Sequence, residues 1–186
     1  AAGDSKKFFE YNVKEAKALM AAAGFGSGFE ATYQYTANRY GATFNAIAEA
    51  HIGFLNEIGI KTTTDVQDYA SKYVTQTFVG NFKGIAFGYE TPFPEGGAYP
   101  NRMFTDNPSN HSKIADPELA DLAAKQQKEL DPAKRKEMFF EIQRKNAVKM
   151  HYIPQVIGAG TTWTGFQGWV RNYDVQTFGY GGGTET

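Results

Sequence analysis

The spacing of apolar and polar residues changes period several times along the chain, and each change marks an element. Residues 12–15 have capping-box spacing, with Asn12 as N-cap and Glu15 three positions on. Ala16, Leu19, Met20 and Ala23 then recur at helical intervals, and Gly24 ends that helix at C′, where a positive φ is usually needed. From residue 29 the period drops to two. Phe29, Ala31, Tyr33 and Tyr35 share one side and Glu30, Thr32, Gln34 and Thr36 the other, which predicts a strand. A helical stripe through Phe44, Ile47, His51, Leu55 and Ile58 follows over residues 43–58, and Gly59 closes it. The β-branched run at 60–66 predicts a second strand. A strand, a helix and a neighbouring strand form a βαβ unit, so parallel pairing is expected.

Beyond this unit the pattern is less regular. Residues 67–80 are ambiguous and leave room for a short helix, and residues 84–88, Gly-Ile-Ala-Phe-Gly, predict a third, buried strand. Residues 89–110 are rich in Pro, Gly and aromatics and are too long for a simple connection. Loops of that length are usually functional or disordered, and the aromatics argue against disorder. Asp116-Pro117 and Asp131-Pro132 repeat one device, an N-cap followed by Pro at N1, and predict helices over 117–130 and 132–149. Residues 152–157 predict a further strand. Residues 163–180 read as aromatic and irregular, and the glycines at 181–183 are expected to fray.

Composition narrows the class. A chain of 186 residues fits one domain and can bury a core without disulfides or metals. A formal net charge of -1 gives no pull toward nucleic acid or an anionic membrane. The absence of Cys excludes a disulfide framework, thiolate catalysis and Cys-ligated metal. No window approaches the roughly 20 apolar residues that span a bilayer. No signal peptide is visible, and residues 1–7 read as a cut end, not a natural start. The 15 Phe and 11 Tyr leave two readings open: a sheet-rich core, and loop aromatics that line a binding surface.

Candidate chemistry is sparse. Gly24, Gly26 and Gly28 follow a helix and open a strand, the reverse of a phosphate cradle, so they read as helix cap and turn. His51, His111 and His151 are too scattered to predict a metal site, and His51, on an apolar stripe, is expected to be a hydrogen-bonded core histidine. No cofactor and no metal are expected. Glu90 and Glu95 are the one pair of carboxylates that catalysis could use. They keep an α/β hydrolase-type enzyme domain as the alternative reading, although their spacing in a loop fits independent roles. Residues 87–99, FGYETPFPEGGAY, leave the end of a buried strand, where α/β sheets place their ligand sites. They offer Phe87, Tyr89, Phe93 and Tyr99 for stacking and Glu90 as a buried-capable charge. Packing of these rings onto their own domain is the other open reading.

The order of elements resembles a known family. Residues 11–25, YNVKEAKALMAAAGF, resemble the segment that opens the second lobe in family 5 solute-binding proteins, the dipeptide, oligopeptide, nickel and oligosaccharide receptors of ABC importers. FLNEIGIKTTT at 54–64 resembles the segment ending in "iGIkv". Residues 115–156 resemble the Pro-opened helix, the Asp-Pro-x-x-Arg helix and the Ile-Pro strand, and WVRNYDVQTFGYGG at 169–182 resembles the C-terminal approach.

The resemblance implies an α/β, periplasmic-binding-protein-like lobe whose mixed, mostly parallel sheet is flanked by helices. It implies that residues 1–186 are the single C-terminal lobe, with the N-terminal lobe absent. It also implies no catalysis, a periplasmic or extracellular place with a possible lipid anchor on the full-length protein, and ABC permease subunits as partners. A "W-x-x-D-Y-x-D-P" motif, whose Asp receives a peptide's amino terminus, matches FGYETPFPE here, with Phe87 at the Trp and Glu90 at or beside the Asp. Glu is longer by one methylene, and Pro92 and Pro94 reshape the loop, so peptide, oligosaccharide and other small solutes all stay open. The ligand-binding residues expected are Phe87, Tyr89, Glu90, Phe93, Arg39, Tyr40 and Trp163. A ligand-sensing lobe without transport is a further alternative.

Overall fold

The computed structural model describes residues 3–90, 93 and 95–155. A 3₁₀ turn, Gly3–Phe9, leads into helix α1, Val13–Ala22. Asn12 caps α1 by accepting the Glu15 N–H at 3.0 Å, and Gly24 takes φ 86° just past its end, as the capping pattern requires. Strand β1, Phe29–Thr36, helix α2, Gly41–Glu57, and strand β2, Ile60–Gln67, then form the expected βαβ unit. Strands β1 and β2 pair in parallel, with Phe29 opposite Ile60 and Thr36 opposite Gln67.

Strand β3 is only Ile85–Ala86, parallel to β1 on its other side, so the sheet order is β2-β1-β3. The longer strand expected over 84–88 is cut short. The Phe87 N–H still reaches the Gln34 carbonyl at 2.9 Å, and the chain then leaves the sheet. Helix α3, Ala98–Phe104, occupies part of the segment read as one long loop. Pro100 hid it from the periodicity. Inside a first turn Pro removes only an N–H that has no helical partner, so it is tolerated there.

Helices α4, Pro117–Lys128, and α5, Pro132–Lys149, open as the Asp-Pro pairs dictate. Asp116 accepts the Glu118 and Leu119 N–H groups, and Asp131 those of Ala133 and Lys134. The strand expected from residue 152 is not formed over 152–155. The Tyr152 carbonyl accepts from the Asn146 side chain at 3.3 Å, and its hydroxyl donates to Asn110, so Tyr152 closes off α5 and pairs with no strand.

Two apolar clusters hold these parts. Tyr33, Tyr35, Phe44, Ala48 and Phe87 fill the space between the sheet and α2, and Phe104, Leu119 and Ile142 knit α3, α4 and α5. The C-terminal half of the β1 face expected to be polar, Gln34 and Thr36, is buried as well, while Glu30 is exposed. Gln34 donates to Asp65 at 2.9 Å and accepts the Lys83 N–H at 2.7 Å. Gln67 donates to the same carboxylate at 2.8 Å and accepts from Thr77 at 2.7 Å. Burying these amides is tolerated because each is paired. Hydrogen bonds from Gln67 and then Gln34 hold the Asp65 carboxyl below its usual range.

Met150 ends α5 in the left-handed region, at φ 50° and ψ 38°. A side chain pays for that conformation, so Met150→Gly is expected to raise stability by about 1 kcal/mol. The urea midpoint checks this: it should rise, and an unchanged or lower midpoint contradicts it.

Candidate functional site

Parallel pairing delivers the C-terminal ends of β1, β2 and β3 to one edge, the edge at which α/β sheets open a crevice for ligands. The first exit carries Asn38, Arg39 and Tyr40, the second Asp68 and Tyr69, and the third Phe87, Gly88 and Tyr89. Asn38 ties the first two exits together. Its amide donates to Asp68 at 2.6 Å, and its oxygen accepts the Tyr69 N–H at 3.0 Å. Asp68 in turn caps the following helix by accepting from the Ser71 hydroxyl and N–H. These bonds, with the one from Asn38, keep its carboxyl below the usual range.

That following helix, Tyr69–Thr77, is a π-helix. Tyr73 N–H bonds the Asp68 carbonyl and Phe78 N–H the Tyr73 carbonyl, both five residues back. It is the helix for which the ambiguous segment at 67–80 left room.

Three tyrosines converge at the edge. The Tyr40 ring lies 4.9 Å from Tyr89 and 5.8 Å from Tyr69, and the Arg39 guanidinium sits 5.2 Å above the Tyr69 ring. Tyr40 and Tyr69 are half-buried, and Arg39 and Tyr89 are exposed. Beneath them Phe44 stacks on Phe87 at 4.5 Å with planes 10° apart, and also touches Tyr40 and Tyr89. Among the described residues the Arg39 guanidinium pairs with no carboxylate. Such a surface can stack a flat or sugar-like group on tyrosine rings and donate charge-assisted hydrogen bonds.

A second polar cluster follows along the chain. Glu90 meets Arg102 at 3.2 Å and His111 Nε2 at 2.6 Å. Arg102 lies over the Phe78 and Phe93 rings at 5.7 and 5.6 Å, and the Phe93 N–H donates to the Tyr99 hydroxyl. Glu95 pairs separately with Arg135 at 2.6 Å, so the two carboxylates serve different cations and flank no common point. His51 shares a hydrogen bond with the Tyr33 hydroxyl at 3.0 Å, and burial pushes it below its usual range, as a core histidine should behave.

The expected site residues therefore divide. Arg39, Tyr40 and Tyr89 come together on the open edge. Phe87 lies directly below, in the core, where it supports them. Glu90 and Phe93 join Arg102 and His111 in the adjoining cluster, and Trp163 lies outside the described residues. Sequence reading missed Asn38, Asp68 and Tyr69. Their signal was positional: in a parallel sheet the residues just after β2 must emerge beside those just after β1.

Among the described residues no group of three or more His, Cys, Asp or Glu is arranged to hold a metal ion, and no helix is long and apolar enough to cross a membrane. The family model described as bacterial extracellular solute-binding proteins, family 5 Middle, matches residues 1–111. No curated protein matches the sequence.

Several solved structures share the fold. The periplasmic binding protein DppA from Helicobacter pylori, in complex with the peptide STSA, is 22% identical with a TM-score of 0.66. That match covers 78% of this chain and 29% of that one. The binding protein AgaA from A. tumefaciens R10, in complex with agropinic acid, is 24% identical, with a TM-score of 0.64 and coverages of 75% and 29%. The periplasmic oligopeptide-binding protein of an ABC transporter from Thermotoga maritima is 23% identical, with a TM-score of 0.64 and coverages of 78% and 31%. The chain thus spans less than a third of the length of each of these proteins.

Proposed function

Because the chain belongs to the bacterial extracellular solute-binding proteins of family 5, we propose that it is the ligand-holding C-terminal lobe of a two-lobe receptor that feeds an ABC-type importer. The observation that carries this reading is the open edge where Tyr40, Tyr69, Tyr89 and Arg39 meet at the ends of three parallel strands. Rings with one or two polar anchors are the usual makeup of a small-molecule site. The solute is a peptide, an oligosaccharide or another small molecule. A peptide on one structural neighbour and agropinic acid on another support that range.

In the intact receptor an N-terminal lobe supplies the facing wall, and hinge closure traps the solute. Solute drives closure only by its differential affinity for the closed form. The closed form then docks on the permease outside the cytoplasmic membrane, in a periplasm or, with a lipid anchor, at a cell surface. The family comprises binding proteins, and the separate partners of Glu90 and Glu95 fit a lobe that binds without turnover.

A thermal-shift screen of the full-length receptor against di- and tripeptides, oligosaccharides and agropinic acid tests the reading. At a hundredfold excess over Kd, mass action stabilises the folded state by about 2.7 kcal/mol. One class is expected to shift the transition, and Tyr89→Ala or Arg39→Ala should reduce the shift without unfolding the protein. A folded, ligand-stripped receptor that no class stabilises contradicts the proposal.

A further inference from the structure

The three site tyrosines sit on three separate exits, and something must hold the exits in register. Tyr73 is placed to do so. It is 2% exposed, and its hydroxyl donates to the Phe87 carbonyl at 3.0 Å, on the residue that precedes Gly88 and Tyr89. On its other side Tyr73 stacks on Tyr69 at 6.1 Å with planes 22° apart. Its own backbone belongs to the π-helix that begins at Tyr69, through the bond from its N–H to the Asp68 carbonyl. One side chain therefore grips the third exit and supports the ring of the second.

Gly88 is the matching half. A Cβ built there would lie 1.8 Å from the Tyr73 hydroxyl oxygen and 3.0 Å from Cζ. The hydroxyl stands at the end of a rigid ring, so any side chain at 88 must displace the ring or the strand exit. The close approach that fixes the hydrogen bond exists only with glycine.

We propose that Tyr73 and Gly88 form a lock that positions Tyr69 and Tyr89 around Tyr40 for the solute, with Tyr73 as a positioning residue that does not itself touch the solute. This inference rests on the receptor reading for its purpose but not for its geometry. Phe44 backs the Tyr40 and Tyr89 rings, but the exits that carry Tyr69 and Tyr89 would be free to move against each other if each were held only by its own loop. The lock removes that freedom before the solute arrives, which lowers the ordering cost of binding.

The test uses the full-length protein with ring-13C-labelled tyrosine and needs no solute. The signals of Tyr40, Tyr69 and Tyr89 are assigned from their single Tyr→Phe variants. Tyr73→Phe should shift the Tyr69 signal, through the ring that it stacks on, and the Tyr89 signal, because the exit that carries it loses its hydrogen bond and Tyr89 moves against the Tyr40 and Phe44 rings. Gly88→Ala should shift them further. The double variant Gly88→Ala, Tyr73→Phe should resemble Tyr73→Phe more than Gly88→Ala, since removing the hydroxyl relieves the 1.8 Å contact and leaves only the milder 3.0 Å approach to Cζ.

Leu119→Ala, in the other core cluster, is the control for destabilisation alone. It should lower Tm and leave the three signals in place. If Tyr73→Phe and Gly88→Ala lower Tm but leave the signals unmoved, the lock is overturned. Shifted signals in a receptor that binds no screened solute uphold the lock and count against the receptor reading. Unmoved signals in a receptor that does bind overturn the lock alone.

Discussion

Phe44→Ala is expected to lower the free energy of unfolding by about 4 kcal/mol, because it removes a fully enclosed aromatic ring and leaves a cavity. Phe44 is 0% exposed. Its ring stacks on Phe87, meets Tyr40 at 4.8 Å and Tyr89 at 4.9 Å, and reaches Tyr35 at 6.4 Å. Four aromatic neighbours from three different segments cannot all close in on one void. Phe44→Leu refills much of the volume and should cost about 1 kcal/mol. Urea denaturation measures both. A loss under about 1 kcal/mol for the Ala variant would mean the site refills freely, against the close packing described. Because Tyr40 and Tyr89 rest on this ring, solute affinity should fall with it. Leu119→Ala, of similar cost class, should leave affinity unchanged.

The second large effect centres on Asp116, a single carboxylate with two tasks. One oxygen caps α4 by accepting from Glu118 and Leu119. The other meets Lys149 at 2.7 Å, the last residue of α5, and His151 at 2.8 Å just past it. Its side chain is only 8% exposed. Asp116→Ala should cost about 3 kcal/mol, roughly 1 from the cap and 2 from charged partners left without their acceptor.

The pH dependence has a definite sign. The hydrogen bond from Lys149, then those from His151 and Leu119, hold the Asp116 carboxyl well below the usual carboxylate range. A depressed folded-state pKa gives stability that is complete above the unfolded value of about 3.9 and is lost as pH falls toward the folded value. Asp116→Asn keeps a capping oxygen but cannot ionise. The stability gap between the wild type and this variant should therefore be full at neutral pH and shrink steadily below about pH 4. A gap that stays constant down to pH 2 would show that the ionic partners contribute nothing.

The parts that sequence revealed were those governed by local rules. The Asp-Pro starts of α4 and α5, the Asn12 cap, the alternation of β1 and the β-branched run of β2 each state their structure within a few residues. What stayed hidden depends on partners distant in the chain. The π-helix stayed ambiguous because part of its tie to β2 is polar, Lys72 to Asp65 and Thr77 to Gln67, and those partners cannot be read from its own segment. Strand β3 is two residues long, and just past it the Phe87 carbonyl accepts from Tyr73, a partner 14 residues back in the chain.

The site shows the same division. Arg39, Tyr40 and Tyr89 were expected from loop position and residue type, and the fold brings them to one edge. Glu90 was found as a charge, but its engagement by Arg102 and His111, 12 and 21 residues on, was not visible in the sequence. Tyr69 was missed because placing it needs the sheet order and not just the pattern of its own segment.

The central claim is that solute is held at the strand-end tyrosines. Hydrogen exchange of the full-length receptor, with and without the solute that shifts its thermal transition, tests this most directly. Binding should slow exchange at residues 38–40, 68–73 and 87–90, the segments that carry Arg39, Tyr40, Tyr69 and Tyr89. Protection confined to α4 and α5, with those three segments unchanged, would contradict the account.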